Sequence, residues 1–198
     1  MLTSQKYCID ESHGLSHSMD VLHYANEIFE IEKCRDFRLE KQEKIIYISA
    51  IIHDMCDKKY MNENDGLKNI EDFLQEKNTK DEIQTVKNII STMSYSKVKK
   101  NGFPIFQDYQ MAYHIVRESD LLSAYNFDRS MIYSMNKYGT NTEDAFFDTQ
   151  KLFYSRMLKH VDDDLFITNT GKNIAIGLET TAIKRMNSWK EILDKKIL

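Results

Sequence analysis

The sequence predicts an all-α, single-domain helical bundle over residues 1–198, on three observations. The chain has one proline and six glycines in 198 residues, too few turn-formers for a strand-rich fold. Apolar residues recur at intervals of three or four along most of the chain, the period of an amphipathic helix face. No internal repeat, low-complexity tract or linker breaks that pattern, and the length suits one domain with a substantial core.

Met19, Leu22, Ala25, Ile28 and Phe29 mark one face of a first helix from Ser16 to near Lys33, with Gly14 permitting a tight turn just before it. The segment from Glu43 to near Asp57 is apolar almost all round, so it is expected as a helix in the middle of the bundle. Polar residues Asn62 to Gly66 punctuate the chain. Leu67, Ile70, Phe73 and Leu74, then Ile83, Val86, Ile89 and Ile90, predict two helices to cover it. Asn101-Gly102-Phe103-Pro104 is a loop, followed by a helical run with Met111, Ile115, Leu121, Leu122 and Tyr125. After a loop over Tyr138 to Thr142, Phe146, Phe153 and Met157 share a helix that ends before the Asp162-Asp163-Asp164 turn. Thr170 is the expected N-cap of a last helix through Ile174, Leu178, Ala182 and Trp189. The aromatic residues fit a core better than a ligand box.

A net charge of -4, with 41% hydrophobic and 29% charged residues, describes an ordinary globular protein and carries no strong nucleic-acid signal. The longest apolar stretch is too short to span a bilayer, so no membrane role is expected. Cys8, Cys34 and Cys56 are odd in number and scattered, which predicts reduced thiols in the cytoplasm, with the nucleus equally compatible.

His53-Asp54 closes the apolar run Ile45 to Ile52, where a carboxylate needs compensation costing several kcal/mol if it is missing. A divalent cation would supply it. Adjacent helical residues sit about 100° apart, so both side chains can lean toward one point. His17 on the first helix and Asp120, inside the run Ile115 to Leu122, supply a second imidazole and a second carboxylate from two other helices. Two histidines and two aspartates suit a hard or borderline ion. Taken singly, each residue is explained better by a hydrogen-bonded core histidine or a capping aspartate; their order in the chain changes that balance.

His17, then His53-Asp54 on an apolar helix, then Asp120 in a hydrophobic run resembles the HD-domain metal-dependent phosphohydrolases. Ser12-His13-Gly14-Leu15-Ser16-His17 is similar to the HxxxH-type opening block of one subgroup, and His53-Asp54-Met55-Cys56-Asp57-Lys58-Lys59 to its HD-containing segment. Met93 to Lys97 and His114 to Asp120 resemble later blocks, so the likeness covers most of the chain. The better understood bacterial members of the subgroup are nucleotide pyrophosphohydrolases.

The resemblance implies an HD-type bundle with His17, His53, Asp54 and Asp120 as ligands of one divalent ion. Mn²⁺ or Mg²⁺ is expected first, with Zn²⁺, Fe²⁺, Co²⁺ or Ni²⁺ as further options. It also implies hydrolysis of a small phosphorylated substrate, expected to be a nucleotide, by metal-activated water. Asp57 lies one turn after His53, where it would orient that water or accept its proton, and Asp54 is counted with it as catalytic. Lys58, Lys59, Lys97 and Arg117 are the expected phosphate contacts, although a solvated helix end is the simpler account of either lysine of the 58–59 pair taken alone. His13 is assigned behind the ligands, while His114 faces elsewhere on a regular helix and His23 and His160 sit among polar residues, so none makes a convincing fifth ligand. That argues against the dinuclear members, which carry extra histidines in mid-chain. Cys56 reads as a small buried residue rather than a nucleophile.

Bacterial relatives tend to have Asp-Ala-Asp where this chain has Glu118-Ser119-Asp120. The departure favours a competing reading, a metal- and nucleotide-binding regulatory or scaffold module without turnover. A homodimer is compatible with either reading.

Overall fold

A computed structural model describes residues 14–56 and 62–195. Every regular element among them is helical and no strand is present. No described helix is long and apolar enough to cross a membrane. The chain divides into two compact units, one ending at Asp120 and the other beginning at Leu121.

In the first unit, helix α1 (Leu15–Glu32) packs along α2 (Glu43–Ile52), and α2 in turn packs on α4 (Lys80–Thr92). Val21, Ala25, Ile28 and Phe29 of α1 and Ile45, Ile46 and Ala50 of α2 are buried, with Ile89 of α4 beside them. A 3₁₀ turn, Phe37–Gln42, joins α1 to α2; Asp36 starts it by accepting the Arg38 N–H at 3.1 Å. Helix α3 (Glu63–Leu74) begins where Asn62 accepts the Asn64 N–H at 2.9 Å. Helix α4 opens on a capping box: Thr79 Oγ1 accepts the Glu82 N–H at 3.2 Å, and Glu82 accepts the Thr79 N–H at 2.7 Å. Helix α5 (Tyr95–Asn101) stops at Gly102, whose φ of +74° is open to glycine at little cost. Helix α6 (Gln110–Ser123) follows the predicted loop and a 3₁₀ turn at Gln107–Tyr109.

The second unit holds α7 (Phe127–Tyr138), α8 (Thr142–Ser155) and α9 (Asn169–Asp194). Phe127, Met131, Phe146, Phe153, Met157, Ala182 and Met186 form its core. Phe127 meets Phe146 and Phe153 edge-on at 5.9 and 5.1 Å, a favoured aromatic geometry. Arg185 Nε and Trp189 Nε1 of α9 donate to Asp128 of α7 at 2.9 and 2.7 Å.

Four expectations are corrected. The last helix is capped by Thr168, whose hydroxyl accepts the Gly171 N–H at 2.9 Å, because Thr168 has the extended backbone a cap needs whereas Thr170 is already helical. The apolar helix stops at Ile52 and tightens into a 3₁₀ turn over His53–Cys56. That helix is also not the interior one: Ile51 is exposed, whereas every residue of α6 from Ala112 to Ser119 is buried. His160, expected among polar surroundings, is fully buried, with its ring edge-on to Tyr125.

Candidate metal centre

His17, His53, Asp54 and Asp120 meet in the first unit. His17 Nε2 lies 3.1 Å from His53 Nε2, 3.3 Å from Asp54 Oδ2 and 3.4 Å from Asp120 Oδ1. His53 Nε2 lies 3.4 Å from Asp54 Oδ2 and 3.6 Å from Asp120 Oδ1. The ligating atoms of His17, His53 and Asp120 all fall within 4.8 Å of one another and could hold an ion.

Each side chain is delivered by a different local device. His17 is the third residue of α1, on the buried face it shares with Val21 and Ala25. His53 and Asp54 sit in the 3₁₀ turn, where successive side chains splay more widely than in an α-helix. The turn is pressed by α3 at Gly66, which has no room for a side chain: a Cβ there would stand 2.7 Å from the Cys56 Cα. Asp120 projects from α6, three residues past Arg117.

The electrostatics favour an ionised Asp120 carboxylate beside the two imidazoles. His53 Nδ1 is 2.8 Å from the Ala50 carbonyl oxygen, so that nitrogen carries the proton and Nε2 turns its lone pair to His17. Burial pushes the Asp120 carboxyl up, but the His17 hydrogen bond and the His53 and His17 charges outweigh it and hold the group down to about 2. Asp120 therefore stays ionised at neutral pH, with 30% of its side-chain surface still accessible.

The spacing fits a coordination shell. Bonds of about 2.1 Å to nitrogen and oxygen place neighbouring ligand atoms about 3.0 Å apart at a right angle and about 3.4 Å apart at the tetrahedral angle. The five contacts between the imidazoles and carboxylates span 3.1 to 3.6 Å. Without a cation, two imidazole Nε2 atoms and two carboxylates share one point with protons alone to separate them.

The other expected residues are distributed unevenly. Asp57, Lys58, Lys59 and His13 lie outside the described residues. The Lys97 ammonium donates to Glu63 Oε1 at 2.5 Å and to the Ser91 carbonyl at 2.6 Å, tying α5 to α3 and α4. Arg117 is buried on α6 and reaches Glu118 Oε1 at 3.2 Å. Glu118 is itself fully buried, so the departure from Asp-Ala-Asp is accommodated inside the fold.

Gln110, Tyr113 and His114 were missed as polar companions of Arg117, although their spacing on one helix offered a signal. Burial, with Arg117 adding to it, pushes His114 down to about 4, so the ring is neutral in the folded protein. An unfolded chain takes up that proton near pH 6.5. Stability is therefore intact above pH 6.5 and declines as pH falls toward 4, by about 3 kcal/mol at most from this group. Denaturant unfolding at pH 7.5 and pH 5 is expected to show this loss, and His114→Gln to reduce it; equal losses in both proteins would exclude His114 as the source.

Comparison with protein-family models, curated proteins and solved structures gives no match.

Proposed function

We propose that this chain is an HD-type, metal-dependent phosphohydrolase acting on a small phosphorylated substrate, a nucleotide first among the candidates. One observation carries the reading: imidazoles and carboxylates from three stretches of the chain, at 17, 53–54 and 120, approach one another with the spacing of a coordination shell. The donor set suits Mn²⁺ or Mg²⁺ and also borderline ions such as Zn²⁺, Fe²⁺, Co²⁺ or Ni²⁺.

When bound, a divalent ion in such a site polarises a phosphoryl oxygen and makes water a better nucleophile. The chain's own contribution is position and charge. His17 and His53 present Nε2, the Ala50 carbonyl orients the His53 ring, and Asp54 and Asp120 neutralise the ion. Asp120, the more accessible carboxylate, stands on the side open to solvent. Asp57 remains the proposed proton acceptor and Lys58 and Lys59 the proposed phosphate contacts, on the resemblance alone.

The purified protein, supplied with Mn²⁺ or Mg²⁺, is expected to release phosphate or pyrophosphate from at least one member of a nucleotide panel, and Asp54→Ala to abolish that release. A protein that binds the metal but hydrolyses nothing in the panel would favour the regulatory-module reading. Failure of elemental analysis to find a bound ion after metal loading would remove both.

A further inference from the structure

Helix α6 gathers four buried hydrogen-bond donors without an acceptor for them. The Arg117 side chain is 1% exposed, and while Nη2 reaches Glu118, Nε and Nη1 have no partner among the described residues. Tyr113, one turn earlier, is fully buried with its hydroxyl likewise unpartnered. Burial pushes that phenol up to about 12, so it keeps its proton, and the Arg117 charge acts on it.

His114 is the fourth donor. Gln110 Oε1 accepts the Phe106 N–H at 2.8 Å, which fixes the amide so that its Nε2 donates to His114 Nε2 at 3.0 Å. A neutral His114 accepting at Nε2 carries its proton on Nδ1. Nδ1 stands 3.5 Å from Arg117 Nη2, so two donors face each other across a long contact.

Buried donors are rarely left in this state, because each costs the hydration it gave up. The Phe103 ring lies over the guanidinium at 4.7 Å and attracts its charge, but a ring face is a poor substitute for an oxygen acceptor. Burial lowers the Arg117 pKa by more than Glu118, Tyr113 and Asp120 raise it, so the cation is under-compensated. The shortage is of acceptor oxygen, and an arginine fork matches the geometry of phosphate or carboxylate.

We propose that Arg117, Tyr113 and His114 form an oxyanion site beneath Phe103 that takes a phosphate-like anion. Phe103 is the cover: it is 37% exposed, directly after Gly102, and its ring lies over the guanidinium at 4.7 Å. The anion is either free in solution or a phosphoryl group of a larger ligand, since Asp120 lies within one helical turn of Arg117 and feels its charge. Arg117 is already an expected phosphate contact on the hydrolase reading; Tyr113, His114 and Phe103 are new, and anion binding by the metal-free protein stands without that reading.

The test is calorimetric titration of the metal-free full-length protein with inorganic phosphate in a chloride buffer. Wild type is expected to bind saturably at one site, and Tyr113→Phe about tenfold more weakly, the effect of one lost hydrogen bond to a charged acceptor. Anion-free Tyr113→Phe should melt no lower than wild type, since the hydroxyl it lacks has no partner there. Arg117→Met should lose binding; because that change removes a charged partner of the buried Glu118, Tyr113→Phe carries the test if the arginine variant fails to fold. No saturable binding by wild type, or equal affinities for wild type and Tyr113→Phe, overturns the site. With Mn²⁺ present, displacement of phosphate by a nucleoside diphosphate assigns the site to a ligand's phosphoryl group, and simultaneous binding assigns it to the free anion; both outcomes uphold it.

Discussion

Mn²⁺ or Mg²⁺ at about a hundred times its dissociation constant is expected to stabilise the unit containing His17, His53, Asp54 and Asp120 by about 2.7 kcal/mol, the linkage value for one site that exists only in the folded chain. In a unit of this size that is a rise of about 10 °C in melting temperature. Two Nε2 atoms 3.1 Å apart and two carboxylates within 3.6 Å of them repel until a proton or a cation lies between them. Unfolding scatters the four groups, so the cation gains nothing from the unfolded state. His17→Ala and Asp120→Ala should erase the increment, whatever they do to the metal-free protein, while His23→Ala, on the exposed face of α1, should keep it. Melting curves with and without each candidate ion measure all four proteins. A wild type whose melting point none of these ions raises would remove the metal centre, and the hydrolase proposal with it.

Three of the four candidate ligands were legible because they are chemically out of place: His53-Asp54 at the end of an isoleucine-rich run and Asp120 inside another apolar stretch. The helices were legible from period alone, and the loop at Tyr138 to Thr142 from Gly139, which takes φ +64°. What escaped was the depth of each helix. The run Ile45 to Ile52 suggests an interior helix, yet Ile51 faces out, and Met19 and Phe73 lie exposed on their own helices. Helix α6 reads as half polar but is buried, because Arg117 and Glu118 pair with each other and Gln110 with His114. Hydrophobicity along a sequence cannot register that cancellation, which depends on side chains meeting in space. The close packing of the turn at His53 was hidden for a similar reason, since its neighbour Gly66 lies on α3, ten residues beyond Cys56.

That contact makes Gly66→Ala the most informative change outside the four candidate ligands. In an exposed helix the substitution stabilises by about 1 kcal/mol, since alanine loses less backbone freedom than glycine. Gly177, on α9 with open space around its Cα, is expected to show that gain. Gly66 is buried, and an added Cβ meets Cys56 Cα at 2.7 Å, Cys56 Cβ at 2.9 Å and the Met55 carbonyl oxygen at 3.0 Å. Two of these are backbone atoms, which no rotamer change can move. Either α3 or the 53–56 turn must shift, with an overpacking cost of about 1–3 kcal/mol that outweighs the propensity gain. The turn is the shorter element and carries His53 and Asp54, so their displacement relative to His17 and Asp120 should weaken metal binding by roughly 10- to 100-fold, the scale seen when supports of metal ligands are lost. Calorimetric metal titration of Gly66→Ala beside Gly177→Ala separates this local effect from general destabilisation. If Gly66→Ala binds metal as wild type does while melting lower, α3 rather than the turn has moved, and Gly66 serves packing alone.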